Sequence, residues 1–129
     1  MLRGFLMLAA FFGFTGVALG AFAAHGLKNR LTPEYLAIFH TGVTYQLVHT
    51  LALLGVALLA TQIPGRLVTW AGASFAIGIL LFSGSLYLLA CRELLGWNWL
   101  KFFGPVTPVG GLLFIAGWIT LALAAFKSK

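Results

Sequence analysis

The sequence predicts an all-α fold, a four-helix transmembrane bundle built as one integral membrane domain over residues 1–129, and three observations predict it. Of the 129 residues, 61% are hydrophobic and 8% charged, where an ordinary soluble domain carries roughly 25% charged residues. The charges at Arg3, Lys28, Arg30, Glu34, Arg66, Arg92, Glu93, Lys101, Lys127 and Lys129 leave residues 4–27, 35–65, 67–91 and 102–126 uncharged. Each of these runs exceeds the ~20 residues that carry a helix across a bilayer. Helix-start and turn signals then fall between the apolar runs, where a chain that crosses repeatedly must reverse.

The first helix is expected over residues 4–27. Arg3 before an apolar stretch that ends in Ala21-Phe22-Ala23 imitates a signal peptide with an A-x-A site. The stretch is longer than the usual signal core of about 7–15 residues, and its glycines read as packing residues, so retention in the protein is expected. The second helix is expected over 33–61. Thr32 supplies a cap, Pro33 suits the first helical position and Glu34 complements the positive helix end. Pro64-Gly65 marks a tight turn, and Arg66 opens a third helix over 66–91, an antiparallel neighbour of the second because so few residues join them.

Residues 92–106 mix Arg92, Glu93 and Lys101 with Trp97, Trp99, Phe102 and Phe103, a composition suited to the membrane interface. Trp97 and Trp99 are its expected anchors. Thr107-Pro108 repeats the cap-plus-proline signal and starts a fourth helix over 108–126. Repetition of that signal on one membrane side hints at two related hairpins. Loop charges leave the orientation tied, since Arg3, Arg66, Lys127 and Lys129 balance Lys28, Arg30, Arg92 and Lys101. Cytoplasmic termini are slightly favoured.

The formal net charge is +6, but the basic residues sit at the ends of apolar runs, where they meet lipid headgroups, so nucleic acid is not an expected partner. The lipid bilayer is, together with a membrane-protein partner or a second copy of the chain. A single cysteine excludes an internal disulfide and a cysteine-cluster metal site.

Small residues recur at helical spacing. The first helix carries Gly13, Gly16 and Gly20, and the third carries Ser74 and Gly78 on one side with Gly72 and Ala76 on the other. Such stripes let helix backbones approach where lipid removes the hydrophobic drive between helices. The expectation is that the first and third helices pack through them within one chain, with a dimer interface as the alternative.

Polar groups inside the apolar runs are the candidates for chemistry. His25 and His40 fall at one membrane boundary, while His49 lies near the bilayer midplane, where an ionisable group is a functional hypothesis by default. His40 and His49 are nine positions apart, about half a turn out of phase, so they point to opposite faces and cannot share a metal. Glu34, Thr41, Tyr45, Gln46 and His49 form a polar seam along the second helix. That seam either lines a proton or solute path, or packs through hydrogen bonds from a neutral His49 to Ser83, Ser85 or Tyr87, worth about 0.6 kcal/mol each. No H-E-x-x-H, G-x-S-x-G, P-loop or carboxylate pair is present, so no catalytic residue, metal or cofactor is expected. Bis-histidine haem ligation needs a facing pair at one depth, which His49 lacks within this chain. Cys91, beside Arg92, reads as packing.

Four ordered segments then resemble a known family: Gly20-Ala21-Phe22-Ala23-Ala24-His25-Gly26-Leu27; Thr41-Gly42-Val43-Thr44-Tyr45-Gln46 with His49; Leu81-Phe82-Ser83-Gly84-Ser85-Leu86-Tyr87; and Thr107-Pro108-Val109-Gly110-Gly111 with Gly117-Trp118. In this order and spacing the chain resembles the DUF423, or UPF0382, small integral membrane proteins over nearly its whole length. Ala23 stands where glycine is common, and the aromatic loop before Gly104 is longer than in many relatives. The resemblance implies four helices in a bacterial inner membrane and no assigned activity. It marks His25, Thr41, Tyr45, Gln46, His49, Ser83, Ser85, Tyr87 and Thr107 as motif residues.

The expected function is therefore that of a non-enzymatic accessory, assembly or partner-binding protein. A small oligomeric channel or transporter around His49 is the alternative, and lipid-headgroup or quinone binding beside His25, His40, Lys28 and Arg30 is a further one.

Overall fold

The structure is a computed structural model and describes residues 2–128. Four spans, Arg3–Leu27, Pro33–Leu59, Arg66–Leu95 and Asn98–Phe126, are long and apolar enough to cross a membrane. The first consists of α1 (Leu2–Phe22) continued by a π-helical turn over Ala23–Leu27, and the second is α2 (Pro33–Leu59). The third joins α3 (Arg66–Gly78), a π-helical turn over Ile79–Ser83 and α4 (Gly84–Leu95) without a break. A 3-10 turn over Asn98–Phe103 leads into α5 (Val106–Phe126).

The start of α2 follows the local chemistry of its sequence. Thr32 is the cap, its hydroxyl accepting from the Tyr35 N–H at 3.3 Å, and Pro33 takes the first helical position. Gly65, at φ 152°, provides the backbone conformation that reverses the chain before α3.

α2 ends at Leu59, two residues short of the expected 61, and two further boundaries differ for reasons of packing. The third helix runs past Cys91 to Leu95, because the polar pair that was expected to end it is accommodated on its flank. Arg92 Nη2 donates to the Tyr35 hydroxyl at 3.1 Å, and that hydroxyl donates to Glu93 Oε1 at 3.0 Å. The helix stops at Gly96, in the left-handed region at φ 72°, where the Gly96 and Trp97 N–H groups bond back to Glu93 and Arg92 carbonyls. Thr107 does not cap the fourth span. α5 begins at Val106 with Pro105 before it, so Thr107 lies inside the first turn, and its hydroxyl pairs with Ser85 Oγ at 2.5 Å.

Packing places α2 and the third span at the centre. In their most apolar windows 44% and 33% of residues are buried, against 22% for each outer span. The stripe on α1 faces α2: a Cβ at Gly16 would fall 2.7 Å from Leu47 Cδ2, and one at Gly20 would fall 3.3 Å from Val43 Cγ1. Gly78 instead receives the Phe114 ring of α5. The expected pairing of first and third helices through these stripes is thus replaced by two pairings, α1 on α2 and α3 on α5, and Ser74 is only half-buried. Phe5, seated on Gly72, joins α1 to α3. At Gly16, Gly20 and Gly78 a small residue permits the close approach that gives van der Waals cohesion in lipid.

The core has three layers. Phe5, Phe12, Leu53, Val56, Phe75, Ile79 and Phe114 fill the half nearer the termini, and Leu27, Leu31, Phe39, Val43 and Ala90 fill the half nearer the 3-10 turn. Gln46, His49, Thr50, Ser83 and Ser85, all buried, lie between them along α2 and the third span. Outside, Met7, Phe11, Phe14, Leu51, Leu58, Leu80, Leu112, Ile115 and Ile119 are exposed. An apolar surface this extensive is suited to acyl chains and not to water.

Candidate functional site

Most of the buried polar layer resolves into two clusters on adjacent faces of α2, about 60° apart around the helix. Gln46 turns towards α1 and the third span. Its amide nitrogen donates to the Phe12 carbonyl and to Thr15 Oγ1, both at 2.9 Å, and its Oε1 accepts from the Tyr87 hydroxyl at 2.6 Å. Thr15 Oγ1 in turn donates to the Phe11 carbonyl at 2.9 Å. One amide thereby ties three helices together at mid-span. Tyr87 fits beside Gly42, where a Cβ would lie 2.7 Å from its ring. One helical turn from Tyr87, Ser83 Oγ donates to the Gly42 carbonyl at 2.7 Å.

His49, just under one turn further along the helix, reaches α5 instead. Its Nδ1 lies 2.9 Å from the Tyr45 carbonyl, and Trp118 Nε1 lies 3.1 Å from its Nε2. A carbonyl only accepts and an indole N–H only donates. These partners therefore define a neutral imidazole with its proton on Nδ1. The ring lies flat on Phe114, with centroids 3.6 Å apart and planes within 7°, and Tyr45 stands nearly parallel beside the pair, 6.0 Å and 11° from His49 and 6.3 Å and 18° from Phe114.

Among the described residues no buried side-chain nitrogen or oxygen lacks a hydrogen-bond partner. In a medium with no water to satisfy them, that closure is what allows polar groups at this depth.

The expected seam residues are thus brought together in part. Gln46, Tyr87 and Ser83 share one region, and Tyr45 and His49 share another. Ser85 and Thr107 form a third link, between α4 and α5. Thr41 bonds to its own helix at Ala37 O. His25, in the π-helical turn, and His40 are both exposed, and neither hydrogen-bonds to a side chain among the described residues. His49 bonds to none of the three partners foreseen for it, since Ser83, Ser85 and Tyr87 lie on other faces and Trp118 takes the place. Thr15, Phe114 and Trp118 went unforeseen. Depth matching would have found them, because Thr15 and Gln46 lie at similar rise from the first connecting loop, and a tryptophan this deep requires an acceptor for its N–H.

A bundle of four apolar spans with a closed polar layer at mid-depth defines a small polytopic membrane protein. The chain belongs to the DUF423 family: residues 19–111 match the family model described as "Protein of unknown function (DUF423)". It is 47% identical to a UPF0382 membrane protein of Haemophilus influenzae, across 100% of this chain and 98% of the relative. It is 42% identical to the UPF0382 membrane protein YwdK of Bacillus subtilis, with 98% of each chain covered. It is 41% identical to the UPF0382 inner membrane protein YgdD of Escherichia coli, across 98% of this chain and 92% of the relative. No solved structure matches the chain.

Proposed function

We propose that this is a non-enzymatic accessory protein of the bacterial inner membrane, acting by contact between its outer surface and a membrane-protein partner. The observation that supports this reading is the hydrogen-bond closure of the interior. At mid-depth Gln46, His49, Ser83 and Ser85 hold helices to one another, and Glu34 and Glu93, the two acids of the chain, are exposed near one boundary. What remains for recognition is the lipid-facing surface and the connecting segments. The channel alternative draws less support, because the groups that would line its path divide into separate clusters around Gln46 and His49.

The test is photocrosslinking in the native membrane from single lipid-facing positions, Phe11 on α1, Val48 on α2, Ile77 on α3 and Ile119 on α5. A reproducible protein adduct confined to one face is expected. Lipid adducts alone from every position would overturn the reading.

A further inference from the structure

Between α2 and α5 lies a groove of about 600 Å³, open sideways and lined by Tyr45, His49, Phe82, Gly111, Phe114 and Trp118 among others. Its volume is within the range of small-molecule sites. The sideways opening faces the surface that exposes Leu112, Ile115 and Ile119, so a ligand enters from lipid and not from water.

Two features specify the chemistry that fits. The first is shape. His49 and Phe114 are stacked within 7°, and Tyr45 is within 11° of His49 and 18° of Phe114. His49 and Phe114 are buried against one another, so of these near-parallel rings Tyr45 is the one that offers exposed ring surface to the groove, and a flat ring laid parallel to it gains stacking contact. Gly111 keeps the wall low: even a Cβ there would come no closer than 3.7 Å to Phe82. The second is polarity. His49 has both nitrogens engaged and Trp118 its N–H, but the Tyr45 hydroxyl has no partner among the described residues, and Tyr45 is 43% exposed. It sits twelve positions into α2, about 18 Å of rise from the helix start, within hydrocarbon where an unpaired hydroxyl is costly.

We propose that this groove binds a flat, lipid-soluble ring bearing a carbonyl oxygen, the headgroup chemistry of a quinone, with that oxygen accepting from the Tyr45 hydroxyl. Other occupants fit less well. An acyl chain fills the space but brings no acceptor, and a docked helix brings carbonyls already bonded within itself. The inference does not rest on the accessory reading and has its own test.

The full chain, in phosphatidylethanolamine/phosphatidylglycerol nanodiscs, is labelled with a photoreactive azido-naphthoquinone and the adducts are mapped. Labelling should saturate, fall on residues 108–118 or on Tyr45, and be competed by a short-tailed prenyl naphthoquinone but not by the prenyl alcohol alone. Tyr45→Phe keeps the ring and removes the donor, and should weaken competition about fivefold. Gly111→Leu should abolish saturable labelling, with circular dichroism confirming retained helix. Tyr45→Phe decides the matter if Gly111→Leu fails to fold. Labelling that rises linearly with probe, is competed equally by the prenyl alcohol, or is unchanged by Tyr45→Phe would overturn the proposal.

Discussion

Trp118 donates its indole N–H to His49 Nε2 across 3.1 Å, joining α5 to α2 inside the membrane. The other ring nitrogen is held by the Tyr45 carbonyl at 2.9 Å. A protonated imidazole would place a second N–H against the indole N–H, so the contact exists only for neutral His49. The midplane histidine is thus held as a hydrogen-bond acceptor and stacking surface.

Replacing Trp118 with Phe removes the donor and should destabilise the bundle by about 1–2 kcal/mol. His49→Phe retains an aromatic ring for the stack on Phe114. A double-mutant cycle on these two changes, read by denaturant unfolding in mixed micelles, should give a coupling of about 0.6 kcal/mol. Additive effects would mean that the pair does not interact.

Gln46 should be the more sensitive position. Tyr87→Phe leaves the buried Gln46 Oε1 without its donor at 2.6 Å, an expected loss of about 1–2 kcal/mol. Gln46→Leu removes the hub of the bonds to Phe12, Thr15 and Tyr87 together. In the combined variant the Tyr87 change should cost less than it does alone, because no buried acceptor is then abandoned. The same unfolding assay reads this as a sub-additive pair.

The spans were legible because charge exclusion from hydrocarbon writes them directly into the sequence, and Thr32-Pro33 marked the start of α2 for a local reason that the structure reproduces. Partner choice was not legible. Gly16 and Gly20 announce close approach, but periodicity does not say which helix approaches, and it is α2 and not the third span. The seam on α2 was visible as polarity. Its division into a Gln46 side and a His49 side depends on where α1 and α5 lie around α2, a tertiary fact. At the fourth span the local signal misled, because Thr107-Pro108 has the form of a cap while tertiary packing draws the threonine hydroxyl to Ser85.

Thr107 offers a direct discrimination between those two roles. As a cap it would accept Asp readily, since Asp ranks with the best capping residues. As the partner of Ser85, which is 2% exposed, it should not, because a carboxylate would be placed against the α4 packing surface in a medium that solvates it poorly. Thr107→Asp should therefore lower the thermal midpoint clearly, while Thr107→Ser, which keeps the hydroxyl, should leave it within a few degrees.

Adjacent glycines on α5 make the final case for close packing as the source of cohesion. A Cβ at Gly110 would lie 2.4 Å from the Phe82 backbone nitrogen and 2.7 Å from its Cα. Backbone on both sides cannot yield as a flexible side chain can, so Gly110→Ala has to push α5 away from the π-helical turn of the third span. The cost of such overpacking is about 1–3 kcal/mol. The displacement also disturbs the Ser85–Thr107 bond three residues away along α5. At Gly111 the nearest atom to a new Cβ is Phe82 Cδ2 at 3.7 Å, an ordinary contact. Alanine there gains helix propensity of up to about 1 kcal/mol over glycine. Thermal unfolding of the two single variants should consequently move in opposite directions, Gly110→Ala down and Gly111→Ala level or up. Equal effects would show that α5 does not approach the third span through Gly110.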